Sequence, residues 1–474
     1  LLNYLKLLAE KNWLQYYGDD WARNYDLNSS KELSKQLTQL TQAKLAQISA
    51  VEAQSQPLKA IFIVEQNPIH FIASFLASVI AEVNLFLCDP SWQRQEWLQV
   101  LSLVKPDLIL GDNAARDSIS HLKLASSDPA SQLKFFDRPL IMIPTGGTSG
   151  KIKFAVHSWQ TLAASVTGFK TFFACQQINS FCTLPLYHVS GLMQLMRSFL
   201  TQGRLIICPY KLAAAQPKAI ARADFFISLV PTQLQLLIAN SPEWLQEFKA
   251  ILVGGAAASR SLLDTARKYN LAIAPIYGMT ETASGVVALK PQDFLSGNYS
   301  NGQVMPHAQV SIKNDLTTKN RAGLIEIKST SLYLGYYPAV LNSGSSLLTD
   351  DLGYFDAAGY LSLVGRDSQK IITGGENVFP AELEEVIYST QLVRDVCVIG
   401  IPDPKWGQAV TAIYVPAATN NLDLIKEQVR SQLAKYKQPK NWLKVDTIPR
   451  NNRGKVNYQE LQAIALQQID NNLL

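Results

Sequence analysis

The chain has 474 residues, 47 % of them hydrophobic, which is enough for two to four domains with large cores. Its 43 basic and 38 acidic side chains give a net charge of +5, spread along the chain rather than run together, which argues against a dedicated nucleic-acid binder. Five cysteines (Cys88, Cys175, Cys182, Cys208, Cys397) form no C-x-x-C pair, so buried thiols are expected rather than disulfides or a zinc site. The amino end has no basic stretch leading into an apolar core, and the most apolar segment, 69–81, is too short to span a bilayer. The expectation is a cytoplasmic protein without a transmembrane segment.

In chain order, residues 1–55 read as helices with polar faces. Short apolar strands follow at 60–64, 83–87, 107–110 and 140–143, with a helix at 69–80. The alternation resumes with strands at 181–184, 204–208, 225–228 and 250–253, the pattern of parallel α/β sheets buried on both faces. From about residue 301 the texture turns to short alternating strands (309–313, 323–328, 359–364), a small antiparallel subdomain. Residues 365–369 read as a linker. Beyond it lie a helix starting at Pro380, strands at 396–399 and 411–415, and helices at 422–433 and 457–467. The fold class expected is α/β: a large unit of stacked αβ sheets with a β subdomain over residues 1–366, then a smaller α+β unit over 367–474.

The segment 145–153, TGGTSGKIK, follows an apolar strand that ends at Pro144 and precedes a helix that Ser158 can cap. Glycines let backbone N–H groups converge, hydroxyls add short donors and lysines add charge, so the segment suits a polyphosphate, although its spacing is not that of a Walker A loop. Five further stretches accompany it. Leu184-Pro-Leu-Tyr-His-Val-Ser-Gly191 places Tyr187 and His188 at a strand end, where ligand crevices of α/β sheets lie. Gly254-Gly255-Ala-Ala-Ala258 permits close backbone approach to a flat ligand. Ile276-Tyr-Gly-Met-Thr-Glu-Thr282 offers an aromatic face, a hydroxyl and a carboxylate. Thr349-Asp-Asp-Leu-Gly353 holds adjacent carboxylates able to accept from ribose hydroxyls, and Pro449-Arg-Asn-Asn-Arg-Gly-Lys455 is a basic loop. Each alone has a bland reading as a turn, a core histidine or a solvated loop.

In this order and at these separations the stretches resemble the adenylate-forming superfamily of acyl-CoA synthetases, luciferases and peptide-synthetase adenylation domains. LPLYHVSGL with Arg197 downstream, GGAAAS and Gly374-Gly-Glu-Asn377 most resemble the o-succinylbenzoate–CoA ligases of menaquinone and phylloquinone synthesis. The resemblance implies ATP, Mg²⁺ and coenzyme A and a small-molecule carboxylic acid as substrate; no nucleic-acid partner and no transmembrane segment are expected, and a homodimer is possible. It implies that Thr145, Gly146, Gly147, Thr148, Ser149, Gly150, Lys151 and Lys153 hold the β- and γ-phosphates. Gly255, Ala256, Tyr277, Gly278, Met279, Asp351 and Arg366 would bind the nucleoside, Tyr277 stacking on adenine and Asp351 taking the ribose. Thr280 and Glu281 would be catalytic, Glu281 holding Mg²⁺ with Thr148. His188, Ser190, Arg197 and Gly254 would form the acid site, with His188 also catalytic. Lys455, on a mobile carboxyl-terminal lid, would bridge the carboxylate and the α-phosphate. The lid would then turn about a hinge at Asp367 and Ser368 and present Gly374, Gly375 and Glu376 for thioester formation.

The chain departs from the superfamily pattern at Gly146, Ile152, Phe154, Ser368-Gln369 and Asn451, none of which removes a charge the chemistry needs. A stand-alone adenylation domain, a ligase for aryl or fatty acids, and a non-enzymatic nucleotide-binding remnant are the alternatives.

Overall fold

Along the strand Ile61–Val64, Ile61 and Ile63 enter one apolar cluster while Phe62 and Val64 enter another. Successive side chains point to opposite faces, so such a strand is buried on both sides and its sequence is continuously apolar. Ala250–Val253 behaves the same way, with Ala250 and Leu252 on one face and Ile251 and Val253 on the other. The structure, a computed structural model, describes residues 2–17, 27–54, 58–112, 119, 122, 139–146, 151–213, 222–313, 322–339, 346–417, 421–450 and 455–471.

Four sheets result. The eight-stranded sheet runs, in spatial order, Leu14–Tyr16, Leu205–Ile207, Asn179–Cys182, Phe225–Leu229, Ala250–Val253, Ile273–Met279, Ser284–Ala288 and Gln303–Val304. It is parallel as far as Ile273–Met279 and antiparallel beyond. The six-stranded sheet runs Tyr336–Tyr337, Ile152–Ser158, Leu140–Gly146, Leu85–Leu87, Ile61–Val64 and Leu108–Gly111. Helices Pro68–Ile80, Trp159–Phe172 and Val189–Leu200 contribute to the core shared by these two sheets. A four-stranded antiparallel sheet (Ala308–Lys313, Gly323–Ser329, Leu347–Phe355, Leu361–Arg366) follows. Every strand after Arg366 belongs to a fifth-strand-bearing fourth sheet: Glu376–Val378, Ile371–Thr373, Gly407–Pro416 and Val393–Asp403, with Asn441–Lys444 alongside Gly407–Pro416.

Local signals explain several boundaries. Asn67 caps Pro68–Ile80, its Oδ1 accepting from the backbone N–H of Ile69 and His70, with Pro68 in the first turn. Ser158 caps Trp159–Phe172 through Thr161 N, as expected.

Three features differ from the sequence reading. Leu14–Tyr16 is a strand within the stretch read as helical, drawn to the sheet edge by pairing with Leu205–Ile207. The strand before the glycine segment continues past Pro144 to Gly146 and pairs antiparallel with Ile152–Ser158, so that segment lies within a β-hairpin rather than between a strand and a helix. Residues 365–369 are also not a free linker: Gly365 and Arg366 end a strand, and Asp367–Gln369 is a 3₁₀ turn.

All five cysteines are free and buried, as the sequence suggested. Among the described residues, no helix is long and apolar enough to cross a membrane.

The long helix Leu27–Glu52 is tied to the six-stranded sheet by Lys44, whose Nζ lies 2.7 Å from Glu65 Oε1; Ser74 Oγ donates to the same oxygen. Both charges are largely buried, so removing one strands the other. Lys44→Ala should cost about 3–5 kcal/mol in urea unfolding. Lys31→Ala, which breaks the exposed pair with Glu10, should cost at most about 1 kcal/mol. Equal effects would contradict this assignment.

Candidate active site

The strand Ile273–Met279 ends in the 3₁₀ turn Thr280–Thr282, and the backbone after it is unusual. Ala283 has φ +50° and Ser284 φ +89°, left-handed values that each cost a non-glycine residue roughly 1–3 kcal/mol. What holds the turn is a set of donors from elsewhere. His157 Nε2 donates to Thr280 O (2.8 Å), Tyr333 N to Glu281 O (2.8 Å), Ser331 Oγ to Thr282 O (2.9 Å) and Ser165 Oγ to Ala283 O (2.7 Å). Four consecutive carbonyls are thereby fixed by three other segments. Gly278 is required beside it, since a Cβ there would fall 2.0 Å from Ser284 O.

The turn presents Glu281, 8 % exposed, with Oε1 accepting from Tyr336 Oη at 2.6 Å. Burial and the adjacent Glu281 charge raise the Tyr336 phenol above its ordinary value, so it remains a donor. Lys153, on the second strand of the glycine hairpin, sits with Nζ 5.1 Å from the centre of the Tyr336 ring. The hairpin strand, an aromatic and the buried carboxylate thus meet. Thr145 is half-buried and pairs with Lys153 in register, Gly146 pairs with Ile152, and Lys151 is exposed. Gly147, Thr148, Ser149 and Gly150 lie outside the described residues, so the Thr148 share of a metal site does too.

Three residues before the turn, Tyr277 Oη donates to Asp351 Oδ2 (2.8 Å), and Arg366 Nε pairs with Asp351 Oδ1 (3.1 Å). Burial and the Asp351 carboxylate raise the Tyr277 phenol. The Tyr277 ring is 7 % exposed, packed among Val286, Val287, Ile325 and Leu361, so it offers little free face for a stacked base in this state. Gly254 touches the same strand: a Cβ on it would lie 2.8 Å from Ile276 Cγ2 and 2.9 Å from Ile276 O. Gly255, at φ +81°, and Ala256 are exposed above that contact. Gly254, Gly255, Ala256, Tyr277, Gly278, Met279, Thr280, Glu281, Asp351 and Arg366 are therefore brought together around one strand end.

The acid-site candidates are arranged less uniformly. His188 is buried at the start of Val189–Leu200, its Nε2 3.7 Å from Asp89 Oδ2. Ser190 is exposed, whereas Arg197, seven residues on, is 3 % exposed; the two do not reach a common surface. Arg197 Nη2 donates to Ser284 Oγ (3.0 Å), and the guanidinium lies 4.0 Å from the centre of the Phe169 ring. Burial lowers its pKa to about 10, and among the described residues its Nε has no partner. A cleft of about 380 Å³ opens beside His188, lined by Tyr16, Phe71, Pro185, Tyr187 and Tyr210, at the carboxyl ends of strands from both large sheets. Neither Arg197 nor Gly254 lines it.

The carboxyl-terminal candidates belong to the fourth sheet. Gly374, Gly375 and Glu376 form an exposed hairpin turn, Gly374 N donating to Trp406 O at 2.8 Å. Lys455 is exposed next to the bridge Arg450↔Val456. Asp367 pairs with Lys370 Nζ (2.8 Å), and Ser368 donates to Asp350.

Sequence reasoning missed His157, Ser165, Ser331, Tyr333 and Tyr336. His157 interrupts an apolar strand and Tyr336 belongs to an aromatic run, 333–337, which are the signals that could have marked them.

Paired α/β sheets meeting at a glycine hairpin and an acidic turn, followed by a smaller α+β unit, constitute an adenylate-forming fold. Residues 46–337 match the family described as AMP-binding enzyme and residues 382–455 its C-terminal domain; the chain belongs to this family. It is 30 % identical over 402 residues to a 2-succinylbenzoate–CoA ligase of Listeria monocytogenes, covering 81 % of this chain and 84 % of the relative. A ligase of the same name from Geobacillus sp. is 28 % identical, covering 84 % of each chain. Among solved structures, o-succinylbenzoate CoA synthetase of Bacillus subtilis with its acyl-adenylate intermediate aligns with a TM-score of 0.79 at 24 % identity, over 97 % of this chain and 98 % of that one. ATP-bound MatB of Rhodopseudomonas palustris aligns at 0.77 and 20 % identity, over 98 % of both chains.

His157 is fully buried, and because a carbonyl can only accept, its Nε2 carries the proton. Burial lowers its pKa to about 4. The unfolded ring takes a proton near pH 6.5 and the folded ring only near 4, so between these values the unfolded state binds more protons and stability falls as pH falls. His157→Gln, which keeps an amide donor, should reduce that slope by up to about 1.4 kcal/mol per pH unit in urea titrations from pH 7 to 4.5. An unchanged slope would contradict a neutral, buried His157.

Proposed function

We propose that the chain is an ATP-dependent acid–CoA ligase that converts 2-succinylbenzoate to its CoA thioester through an acyl-adenylate. Family membership and the relatives named 2-succinylbenzoate–CoA ligase support the reaction class. The observation that carries the acid specificity is Arg197, a buried cation with no carboxylate partner among the described residues. A buried charge is costly unless paired, and 2-succinylbenzoate brings a second carboxylate that is not activated. Arginine can take that group bidentately. The contact with Ser284 Oγ is a side-chain anchor and leaves Nε open to such a ligand.

In the first half-reaction a carboxylate oxygen of the acid bonds to the α-phosphorus of ATP, and the bond from that phosphorus to the pyrophosphate oxygen breaks. The protein's part is positioning and charge. The hairpin bearing Thr145, Lys151 and Lys153 receives the phosphates. Asp351, oriented by Tyr277 and Arg366, retains lone pairs for ribose hydroxyls, and Gly255 and Ala256 border the base. Glu281 suits Mg²⁺: it is one buried carboxylate beside the phosphate hairpin, and this ion is commonly held by one or two carboxylates plus substrate phosphates. No group of three or more metal-binding side chains among the described residues would hold a metal without substrate. When bound, Mg²⁺ supplies charge neutralisation on the phosphate oxygens. Lys455 adds a cation between carboxylate and α-phosphate.

In the second half-reaction the CoA sulfur, having lost its proton, attacks the acyl carbonyl and AMP leaves. The unit 367–474 is proposed to turn about Asp367 and Ser368 and bring Gly374, Gly375 and Glu376 to the adenylate.

Exchange of labelled pyrophosphate into ATP, screened over carboxylic acids, tests the reading: 2-succinylbenzoate should outrun plain benzoates and fatty acids. A preference for either of the latter would replace it with a general acyl-CoA ligase. Lys455→Ala should slow adenylate formation by about 10²–10³ or more while supplied acyl-adenylate is still converted to thioester; equal loss in both steps would refute the moving-unit assignment. Arg197→Leu should raise KM for 2-succinylbenzoate by at least about tenfold with KM for ATP unchanged.

A further inference from the structure

Arg197 is not the only unpartnered donor in its surroundings. His307 follows Pro306 in the connection between Gln303–Val304 and Ala308–Lys313. Its backbone is fixed, since its carbonyl accepts from Ser329 Oγ (2.9 Å) and Thr330 N (3.2 Å). Its imidazole rests on the helix Trp159–Phe172 at Gly168, where an added Cβ would fall 1.8 Å from Nδ1. The next residue of that helix, Phe169, lies beneath the Arg197 guanidinium. His307 and Arg197 therefore sit over adjacent residues of one helix, and burial, with the arginine charge adding to it, lowers the pKa of the histidine to about 4. Among the described residues, both His307 ring nitrogens and Arg197 Nε are buried without a hydrogen-bond partner.

Buried polar atoms are normally satisfied, and three orphans on two neighbouring side chains point to a ligand. A neutral imidazole offers one N–H and a guanidinium several; a carboxylate offers two oxygens with lone pairs facing apart. A cation would be repelled by Arg197, and an apolar group would leave all three orphans unmet.

We propose that His307 is a specificity-determining residue of the acid site, donating with Arg197 to the carboxylate that is not activated, so that the site accepts aromatic keto acids carrying a second carboxylate over those lacking it. This rests on the reading of the chain as a ligase for 2-succinylbenzoate. The helix face at Gly168 is part of the device, because any side chain there would displace the imidazole.

The test compares the full chain with its His307→Ala and His307→Gln variants on two acids: 2-succinylbenzoate, and 4-oxo-4-phenylbutanoate, which lacks the ring carboxylate. Losing one donor to a charged oxygen should lower kcat/KM for the diacid about 10- to 100-fold, mainly through KM. KM for ATP and kcat/KM for the monoacid should hold, and Gln, which keeps a neutral donor, should recover part of the loss. Equal losses on both acids would mean that His307 only packs against Gly168. Unchanged kcat/KM on both acids in both variants would mean that the ligand carboxylate does not meet these atoms; either result overturns the proposal. A wild-type chain that does not prefer the diacid overturns the functional reading and this inference with it, whereas preference retained in both variants overturns this inference alone.

Discussion

The turn Thr280–Thr282 has to be held from outside, and much of the site depends on that. It leaves the eight-stranded sheet, while the glycine hairpin belongs to the six-stranded one. Among the described residues no strand pairing joins the two, so the distance from a phosphate-binding hairpin to a buried carboxylate would be free to drift. His157 sits on the hairpin's second strand and reaches across to Thr280 O; Ser165, one helix on, reaches Ala283 O; Ser331 and Tyr333 close the other side. A net contribution of about 1 kcal/mol per hydrogen bond is comparable with the strain of two left-handed non-glycine residues. The bonds also satisfy the four carbonyls of Thr280, Glu281, Thr282 and Ala283 in the strained geometry.

Charge is distributed to match. Asp351 is matched on both oxygens by Tyr277 and Arg366, and Glu281 by Tyr336, so these carboxylates are oriented before any ligand arrives. Such preorganisation spares reorganisation at the moment of reaction. Arg197 is the exception, anchored to Ser284 by a neutral hydroxyl and stacked over the Phe169 ring, with no carboxylate partner among the described residues. Its anchor is the residue that follows the strained Ala283, so the proposed acid-recognition cation and the proposed metal carboxylate are supported by one short piece of backbone.

The sequence made the sheets legible because doubly buried strands are continuously apolar, and 250–253 was read to the residue. The cap at Ser158 and the helix start at Pro380 were equally plain. Leu14–Tyr16 escaped because three residues at a sheet edge carry no period; their partner, Leu205–Ile207, is almost two hundred residues away. The hairpin strand Ile152–Ser158 was obscured by the glycines before it, and pairing across that segment is a tertiary fact rather than a local one. At the site, motif residues were legible as a set, but their supports were not. His157, Ser331 and Tyr336 are ordinary residue types that matter through what they touch. Ser190 is exposed and Arg197 buried although both lie on Val189–Leu200: helical spacing fixes relative direction, whereas depth depends on which end of the helix meets the core.

A unit that turns as proposed must be stiff within and loosely held without, and the contacts divide that way. Inside residues 367–474, Arg450 Nη2 lies 2.9 Å from both Asp395 oxygens, Tyr388 Oη donates to the same carboxylate at 2.7 Å, and Asn457 N donates to Pro449 O. Arg450 is thereby tied through Asp395 to the long strand Val393–Asp403, and the Asn457–Pro449 bond joins the residues on either side of Lys455. Towards residues 1–366 the described contacts are of another kind. Glu385 accepts from Arg260 N, where burial raises the carboxyl pKa, and Ser368 donates to Asp350 at an exposed site. Polar contacts at exposed or half-buried sites such as these contribute little each. Rotation about Asp367 and Ser368 would therefore give up few interactions, while the loop carrying Lys455 would move as part of a rigid body.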